Sequence, residues 1–194
     1  LVRAPPRLWV PASWGAWVAW LCLALAVLLL AGGPVRAQQP AAASAGAPPE
    51  LVLAPGTPSA PAWPALQRYG GAEPLRDWTH ASLWRDRFVP MPGANATLGL
   101  QPEPVWLRLP LRVLPGAEGV WVLDIDYPPL NLVSLYLVRD DMLVAQDKIG
   151  NHITRSERHQ PGRAPATQFT LSEGRYDLWL QVQTSGAMVL PMTL

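Results

Sequence analysis

Two tryptophans, each followed two positions later by a polar residue, are the side chains best suited to binding chemistry. Trp106 is followed by Arg108, and Trp179 is followed by Gln181. Residues two apart in a β-strand point to the same face, so each indole ring has a hydrogen-bonding side chain beside it. An indole ring can stack on the apolar side of a sugar while guanidinium and amide groups bind the sugar hydroxyls. The pattern predicts Trp106, Arg108, Trp179 and Gln181 as candidate ligand-binding residues.

The same tryptophans also fit a packing role. The chain has ten tryptophans in 194 residues, and aromatic side chains supply much of the buried area of a core. The linker, a helical segment or a second sheet would then cover Trp106 and Trp179. Alternation along a strand does not decide between the two interpretations, and packing is the more ordinary one.

No group of residues matches a catalytic or metal-binding motif. The sequence contains no Gly-x-Ser-x-Gly elbow, no phosphate-binding loop and no His-Glu-x-x-His motif. Asp124 and Asp126 share one strand face. Solvent-exposed carboxylates on the outer face of a sandwich are the ordinary interpretation of this pattern. His152 and His159 lie in a polar loop at spacings that match no zinc-ligand pattern. The sequence therefore predicts no enzyme activity, no cofactor and no metal site.

Charge and cysteine content exclude two further classes. The formal net charge is +1 at pH 7, and only 15% of the residues are charged, whereas a nucleic-acid-binding domain carries a basic patch or stripe. The single cysteine, Cys22, lies in the N-terminal apolar stretch. The remainder of the chain therefore has no disulfide scaffold, cysteine zinc site or thiol nucleophile.

The N-terminus has the three-part layout of a secretory signal peptide. Arg3 and Arg7 precede a long uncharged run, which Gly32-Gly33-Pro34 ends, and Val35-Arg36-Ala37 supplies small residues for cleavage. We therefore expect residues 1–37 to direct export to the periplasm. Because the uncharged run is long enough to span a bilayer, an uncleaved membrane anchor is the alternative.

A linker is predicted after this signal peptide. Residues 38–64 are mostly Ala, Pro, Gly and Ser, with Glu50 as the only charge. Such a segment buries too little apolar surface to offset its ordering entropy, so it is predicted to be disordered. Its only apolar patch, Leu51–Leu53, is suited to pairing as a short edge strand.

The remaining residues, 65–194, begin with a predicted short helix. Asp77 or Thr79 is suited to cap this helix, which would end near Trp84 or Arg87. From Val105 onward the dominant pattern is period-two alternation, which predicts β-strands.

Strand alternation is clearest in Val105–Val113. Its aliphatic residues share one face, while Trp106, Arg108 and Pro110 lie on the other. Since proline cannot donate to a ladder, this strand is predicted to lie at a sheet edge or to carry a bulge. Similar strands are predicted at 120–127, 132–138, 142–149, 167–171, 176–183 and 189–194. Short strands separated by turns predict an all-β fold, an antiparallel β-sandwich, with a closed barrel as the alternative.

The order of these strands also resembles a known family. Over roughly residues 75–194, the chain resembles the type 2 extracellular domain of the bacterial seven-transmembrane receptors with diverse intracellular signalling modules. The segments that carry the resemblance are Pro104–Leu111, Trp121–Leu130, Val133–Leu137, Phe169–Leu171, Leu178–Ser185 and Leu190–Leu194.

The resemblance implies a periplasmic sensor domain of a membrane receptor. In that family the domain is a jelly-roll-like sandwich similar to carbohydrate-binding modules, and it precedes a membrane bundle and a histidine kinase, diguanylate cyclase or other output. The resemblance thus implies a small, carbohydrate-like ligand, the membrane bundle of the parent receptor as a partner, and a homodimer as one arrangement. We expect the domain to be C-terminally truncated here and the chain to be a fragment or a degenerate copy. The alternative function is a free periplasmic or secreted carbohydrate-binding or adhesion module.

Overall fold

The described part of the chain is built mainly from β-strands. The computed structural model describes residues 49–93, 95–154, 156–158, 160 and 162–194, so the predicted signal peptide and residues 38–48 lie outside the described residues. Within these ranges there is one short α-helix, α1 (Trp78–Leu83), and two 3-10 turns, at Trp63–Ala65 and Arg85–Arg87. The strands are β1 (Leu51–Leu53), β2 (Gln67–Tyr69), β3 (Phe88–Pro90), β4 (Thr97–Leu100), β5 (Val105–Val113), β6 (Gly119–Ile125), β7 (Leu132–Arg139), β8 (Met142–Ile149), β9 (Ala166–Leu171), β10 (Gly174–Gln183), β11 (Ala187–Val189) and β12 (Met192–Thr193).

These strands form two main sheets and a small third one. Sheet A has the order β3-β2-β5-β10-β7-β8, and β1 also pairs with β5. Sheet B has the order β12-β6-β9, and β4 pairs with β11 in a two-stranded sheet C. The pairs are antiparallel except β1 with β5, which run parallel. The predicted all-β sandwich with antiparallel sheets is confirmed.

The main core lies between the inner faces of sheets A and B. Alternate residues of β5 point into it, and Leu107 and Leu109 are fully buried there. From sheet B, Leu123 and Ile125 belong to the same cluster and are fully buried as well. Burying a leucine or isoleucine side chain contributes about 2 kcal/mol. The period-two pattern therefore identified the apolar face of both strands correctly.

Pro110 occupies a different position from the one predicted. β5 lies inside sheet A, with β10 on one side and both β1 and β2 on the other. β2 pairs with Leu107 and Arg108, whereas β1 pairs with β5 only from Leu111 onward. Pro110 lies between the residues that pair with β2 and those that pair with β1. Neither short ladder therefore requires a backbone N–H at this position. The prediction of an edge strand is wrong because two short strands share one side of β5.

Residues 49–64 belong to the fold and are not a disordered linker. Leu51 and Leu53 are buried beside β5, so the short apolar patch does pair as a strand. Ala62 is also buried, and its N–H donates to the carbonyl of Met192 at 2.9 Å. The disorder predicted for this part is wrong. Its few apolar side chains join the main core, and β1 pairs with β5, which comes much later in the sequence.

The helix α1 begins at Asp77, one of the two predicted caps. The Asp77 carboxylate accepts hydrogen bonds from the Thr79 hydroxyl at 2.6 Å and from the His80 N–H at 2.9 Å. These bonds, that of Thr79 first, favour the ionised form and hold the pKa of Asp77 below its usual range. The helix ends at Leu83, and the 3-10 turn that follows leads into β3.

Residues 71–88, called the cover segment below, pack on the outer face of sheet A. Leu75, Ala81 and Phe88 from this segment are buried in a second apolar cluster together with Trp106 and Trp179. Sheet A is therefore covered on both faces in this region, by sheet B on one side and by the cover segment on the other.

Candidate ligand site

Trp179 lies on the outer face of sheet A, as alternation predicts, but the cover segment buries it completely. Phe88 packs edge-on against it, with the ring centres 5.0 Å apart. The indole nitrogen of Trp179 has no hydrogen-bond partner among the described residues. The predicted exposure of this ring is therefore wrong, and the packing interpretation describes Trp179.

Trp106 is buried by the same segment and connects two parts of the outer face. Its indole N–H donates to the carbonyl of Leu75 at 3.2 Å. Its ring stacks on that of Tyr136, with centres 6.2 Å apart and planes 23° from parallel. Trp106 thus anchors the cover segment and supports the Tyr136 ring, and it presents no open face for stacking on a ligand.

Arg108 is used within the protein. Its Nε and Nη2 donate to Oδ1 of Asp177 at 2.8 and 2.7 Å, and its Nη1 donates to Oε1 of Gln67 at 3.1 Å. Arg85 of the cover segment pairs with the second carboxylate oxygen of Asp177 at 3.2 Å. Because its three donor nitrogens are engaged, Arg108 joins neighbouring strands in place of the predicted contact with a ligand.

Gln181, the fourth predicted residue, lies in a part of the outer face that the cover segment leaves open. The strand register pairs Gln181 with Ser134, and Ser134 in turn with Lys148. Paired residues of adjacent strands point to the same face. We call this region the outer strip. Its residues are Ser134, Tyr136, Gln146, Lys148, Gln181 and Gln183, and of these Ser134 is buried.

The polar side chains of the outer strip are available for a ligand. Among the described residues, nothing forms a hydrogen bond or ion pair with the side chains of Gln146, Lys148, Gln181 or Gln183. Gln146, Lys148 and Gln183 are exposed, and Gln181 is half-buried. Tyr136 adds a half-buried aromatic ring whose orientation the Trp106 stack fixes.

Loops border the outer strip on two sides and deepen it into cavities. Residues 71–75 and 101–104 enclose a cavity of about 730 Å³ together with Gln181 and Trp106. On the opposite side, the loop after β8 and the outer-strip residues of β7 and β8 line a second cavity of about 480 Å³. Both volumes fall within the range of small-molecule sites.

Five of the six members of the outer strip were not among the site residues predicted from the sequence. Tyr136, Gln146 and Lys148 lie on the polar side of their strands, so alternation alone gives their face correctly. Which strand adjoins β10 is a property of the topology, which alternation along single strands does not reveal. The outer strip follows only once the register of β10, β7 and β8 is known.

The carboxylates Asp124 and Asp126, which share one strand face, lie at or just after the end of β6 in sheet B and not on the outer strip. Within the described ranges, no group of three or more His, Cys, Asp or Glu side chains is arranged to hold a metal ion. Asp124 lies on sheet B, where burial, and secondarily the charge of Asp126, raises its pKa. Asp147 accepts a hydrogen bond from the Thr167 hydroxyl at 2.5 Å, which joins the edges of sheets A and B. His159 lies outside the described residues.

Fold and site together define the class: an all-β sandwich domain with an open polar strip on one sheet face. Residues 71–194 match the family model described as 7TMR-DISM extracellular 2. The chain therefore belongs to the family of type 2 extracellular domains of seven-transmembrane receptors with diverse intracellular signalling modules, which confirms the resemblance. It carries a periplasmic sensor domain of a membrane receptor.

Two further findings concern the sequence of the chain and its helices. No curated protein matches the chain in sequence. In the part of the chain that the structure describes, no helix is long and apolar enough to cross a membrane.

Proposed function

We propose that this sensor domain binds a small carbohydrate-like ligand on the outer strip and passes the binding event to the membrane part of its receptor. In this proposal the receptor ends in a histidine kinase or diguanylate cyclase module. Formation of a homodimer by the domain remains a prediction. The observation that carries the proposal is a set of four polar side chains, which have no hydrogen-bond partner among the described residues, beside a fixed tyrosine ring.

The chemistry of these side chains suits a polyhydroxylated ligand. A glutamine amide offers both donors and acceptors, and a sugar hydroxyl both donates and accepts, so Gln146, Gln181 and Gln183 match such groups. The Tyr136 ring supplies an apolar surface for the C–H face of a sugar ring. A concave site with an aromatic surface and a few placed polar groups is typical of small-molecule binding.

Calorimetry on the chain purified after export, combined with a glycan screen, tests this proposal. Gln181→Ala and Gln146→Ala should each weaken binding at least tenfold while leaving the melting temperature unchanged. Gln168→Ala is the matched control, because Gln168 is an exposed glutamine on sheet B. Unchanged affinity in both outer-strip variants, or no glycan bound by the wild-type chain, would contradict the proposal.

A further inference from the structure

The cover segment is joined to sheet A through a narrow neck. At the neck, the N–H of Gly70 donates to the carbonyl of Arg87 at 2.9 Å, so the two ends of the segment lie side by side. Among the residues that the structure describes, no backbone–backbone hydrogen bond links residues 71–86 to a strand. Gly70 and Gly71 follow β2 directly, and glycine leaves wide backbone rotation open. The segment can therefore swing about this neck without breaking a strand pairing.

Side-chain contacts hold the cover segment on the sheet. The carbonyl of Leu75 accepts the Trp106 indole N–H at 3.2 Å. Arg85 pairs with Asp141 at 3.0 Å and with Asp177 at 3.2 Å. The Arg85 side chain is 40% exposed, so solvent partly screens both ion pairs. Away from the neck, the closed position of the described residues thus depends on these three polar contacts and on apolar packing.

Two buried donors in this interface lack an acceptor among the described residues. They are Nε of Arg85 and the indole nitrogen of Trp179. A buried donor without a partner raises the free energy of the closed state, because it has given up its hydrogen bond to water. Opening of the cover segment returns both groups to water and recovers this cost. Segments that few bonds anchor open locally while the rest of a domain stays folded.

The same segment forms part of the wall of the cavity of about 730 Å³. Residues 71–75 line this cavity together with residues 101–106 and Gln181. A ligand in the cavity contacts residues 71–75 only while the cover segment is closed. Because a ligand shifts an equilibrium towards the state that it binds better, an occupied cavity favours the closed position.

We propose that the cover segment acts as a lid, which opens on the folded sandwich and which a ligand in this cavity holds closed. The opening is a property of the free domain. Its dependence on a ligand rests on the proposed function and adds the part of the domain that responds to binding. Opening uncovers Trp106 and Trp179 of the second apolar cluster, so the open and closed domains present different surfaces to the rest of the receptor.

Thiol labelling tests the opening without any ligand. Cys22 is the only cysteine of the chain, so a Cys22→Ser background leaves a single introduced thiol to react. Ala81→Cys places this thiol on the inner side of the cover segment, and Val182→Cys places it in the main core; both positions are fully buried. We expect Ala81→Cys to react about a hundredfold faster, because local opening costs less free energy than unfolding of the domain.

Two further substitutions distinguish local opening from global unfolding. Ile125 is fully buried in the main core, so Ile125→Val destabilises the sandwich without touching the cover segment. It should speed the labelling of Val182→Cys and leave that of Ala81→Cys unchanged. Arg85→Gln, which removes both ion pairs, should speed the labelling of Ala81→Cys about threefold.

Hydrogen exchange gives an independent measurement on the unsubstituted chain. Relative to their intrinsic rates, the indole N–H protons of Trp106 and Trp179 should exchange faster than the backbone N–H groups of β10, because local opening exposes the indoles alone.

Maltose, cellobiose and chitobiose, added to the glycan screen above, are the probes for the ligand-dependent part. A probe that binds in calorimetry should slow the labelling of Ala81→Cys about tenfold at saturation. Gln181→Ala should abolish this effect, because Gln181 lines the same cavity.

The outcomes separate this inference from the proposed function. Equal labelling at both positions, or equal acceleration of both by Ile125→Val, would overturn the lid and leave sugar binding intact. A probe that binds without slowing the labelling of Ala81→Cys would overturn the ligand-dependent part alone. No binding by any glycan of the screen would contradict both that part and the proposed function, whereas opening measured without a ligand would still support the lid.

Discussion

The guanidinium of Arg108 lies over the indole ring of Trp179, with its carbon 5.7 Å from the ring centre. The register of β5 and β10 pairs these two residues directly. The cover segment buries Trp179 completely and leaves little of Arg108 exposed, so the two residues interact mainly with each other and with Asp177. A cation held over an aromatic ring in such a desolvated place contributes about 2 kcal/mol. Two candidate ligand contacts are therefore part of the interface that holds the cover segment on sheet A.

Asp177→Asn should weaken this interface strongly. The Arg108 side chain is 13% exposed, and removing one partner of a buried ion pair leaves the other charge uncompensated. We expect the free energy of unfolding, measured in urea, to fall by about 3 kcal/mol. Asp140→Asn is the control, because the Asp140 side chain is 88% exposed and lies 3.6 Å from Arg139. Equal effects of the two variants would show that Arg108 does not depend on Asp177.

Gly150→Ala should also destabilise the fold. Gly150 has φ +130°, and a Cβ there would lie 2.2 Å from the carbonyl oxygen of Asn131. Since both the backbone conformation and the space are unsuited to a side chain, we expect a loss of about 2 kcal/mol or more. The control is Gly186→Ala, where nothing lies within 4 Å of the added Cβ. Thermal melts that coincide for the two variants would contradict this account of Gly150.

Leu123→Asp and Leu180→Asp should each abolish folding, whereas Arg112→Ala should be tolerated. Both leucines are fully buried in the main core, where an unpaired charge costs several kcal/mol, comparable to the stability of a small domain. Arg112 is exposed. Circular dichroism of the soluble fraction measures the outcome. A native melt of either Asp variant would mean that the apolar faces are wrongly assigned.

Asp124→Asn should stabilise the domain at neutral pH and not at acidic pH. Burial and the neighbouring Asp126 raise the pKa of Asp124 in the folded state above its usual 3.8. The folded state therefore holds this proton more tightly than the unfolded state, and ionisation works against folding. The unfavourable contribution is absent below pH 3.8 and develops as pH rises through the raised pKa. Melting temperatures at pH 3 and pH 7 test it, and an equal gain at both would contradict the assignment.

Local sequence patterns correctly predicted the features that depend on neighbouring residues. The alternation in β5 placed Leu107 and Leu109 in the core, and Asp77 was one of two predicted caps. The errors concern contacts between distant segments. The burial of Trp179 depends on Phe88 at the start of β3, ninety-one positions earlier in the chain, whose ring packs against the indole. Likewise, the pairing of β1 with β5 joins residues that are sixty positions apart in the sequence.

The candidate site was predictable only in part for the same reason. Alternation alone identified Gln181 as lying on a polar face. Gln146 and Lys148 join it because β7 brings β8 next to β10 in sheet A. A period-two pattern gives the face of a residue, but it contains no information on which strand lies alongside.

The second apolar cluster gives the protein an optical reporter of its own cover segment. Six tryptophans remain after the predicted removal of residues 1–37, and four of them, Trp78, Trp84, Trp106 and Trp179, lie in this cluster. Intrinsic fluorescence is therefore weighted towards one side of sheet A, while far-ultraviolet circular dichroism follows all the strands. Release of the cover segment would shift the emission to longer wavelengths before the dichroism changes.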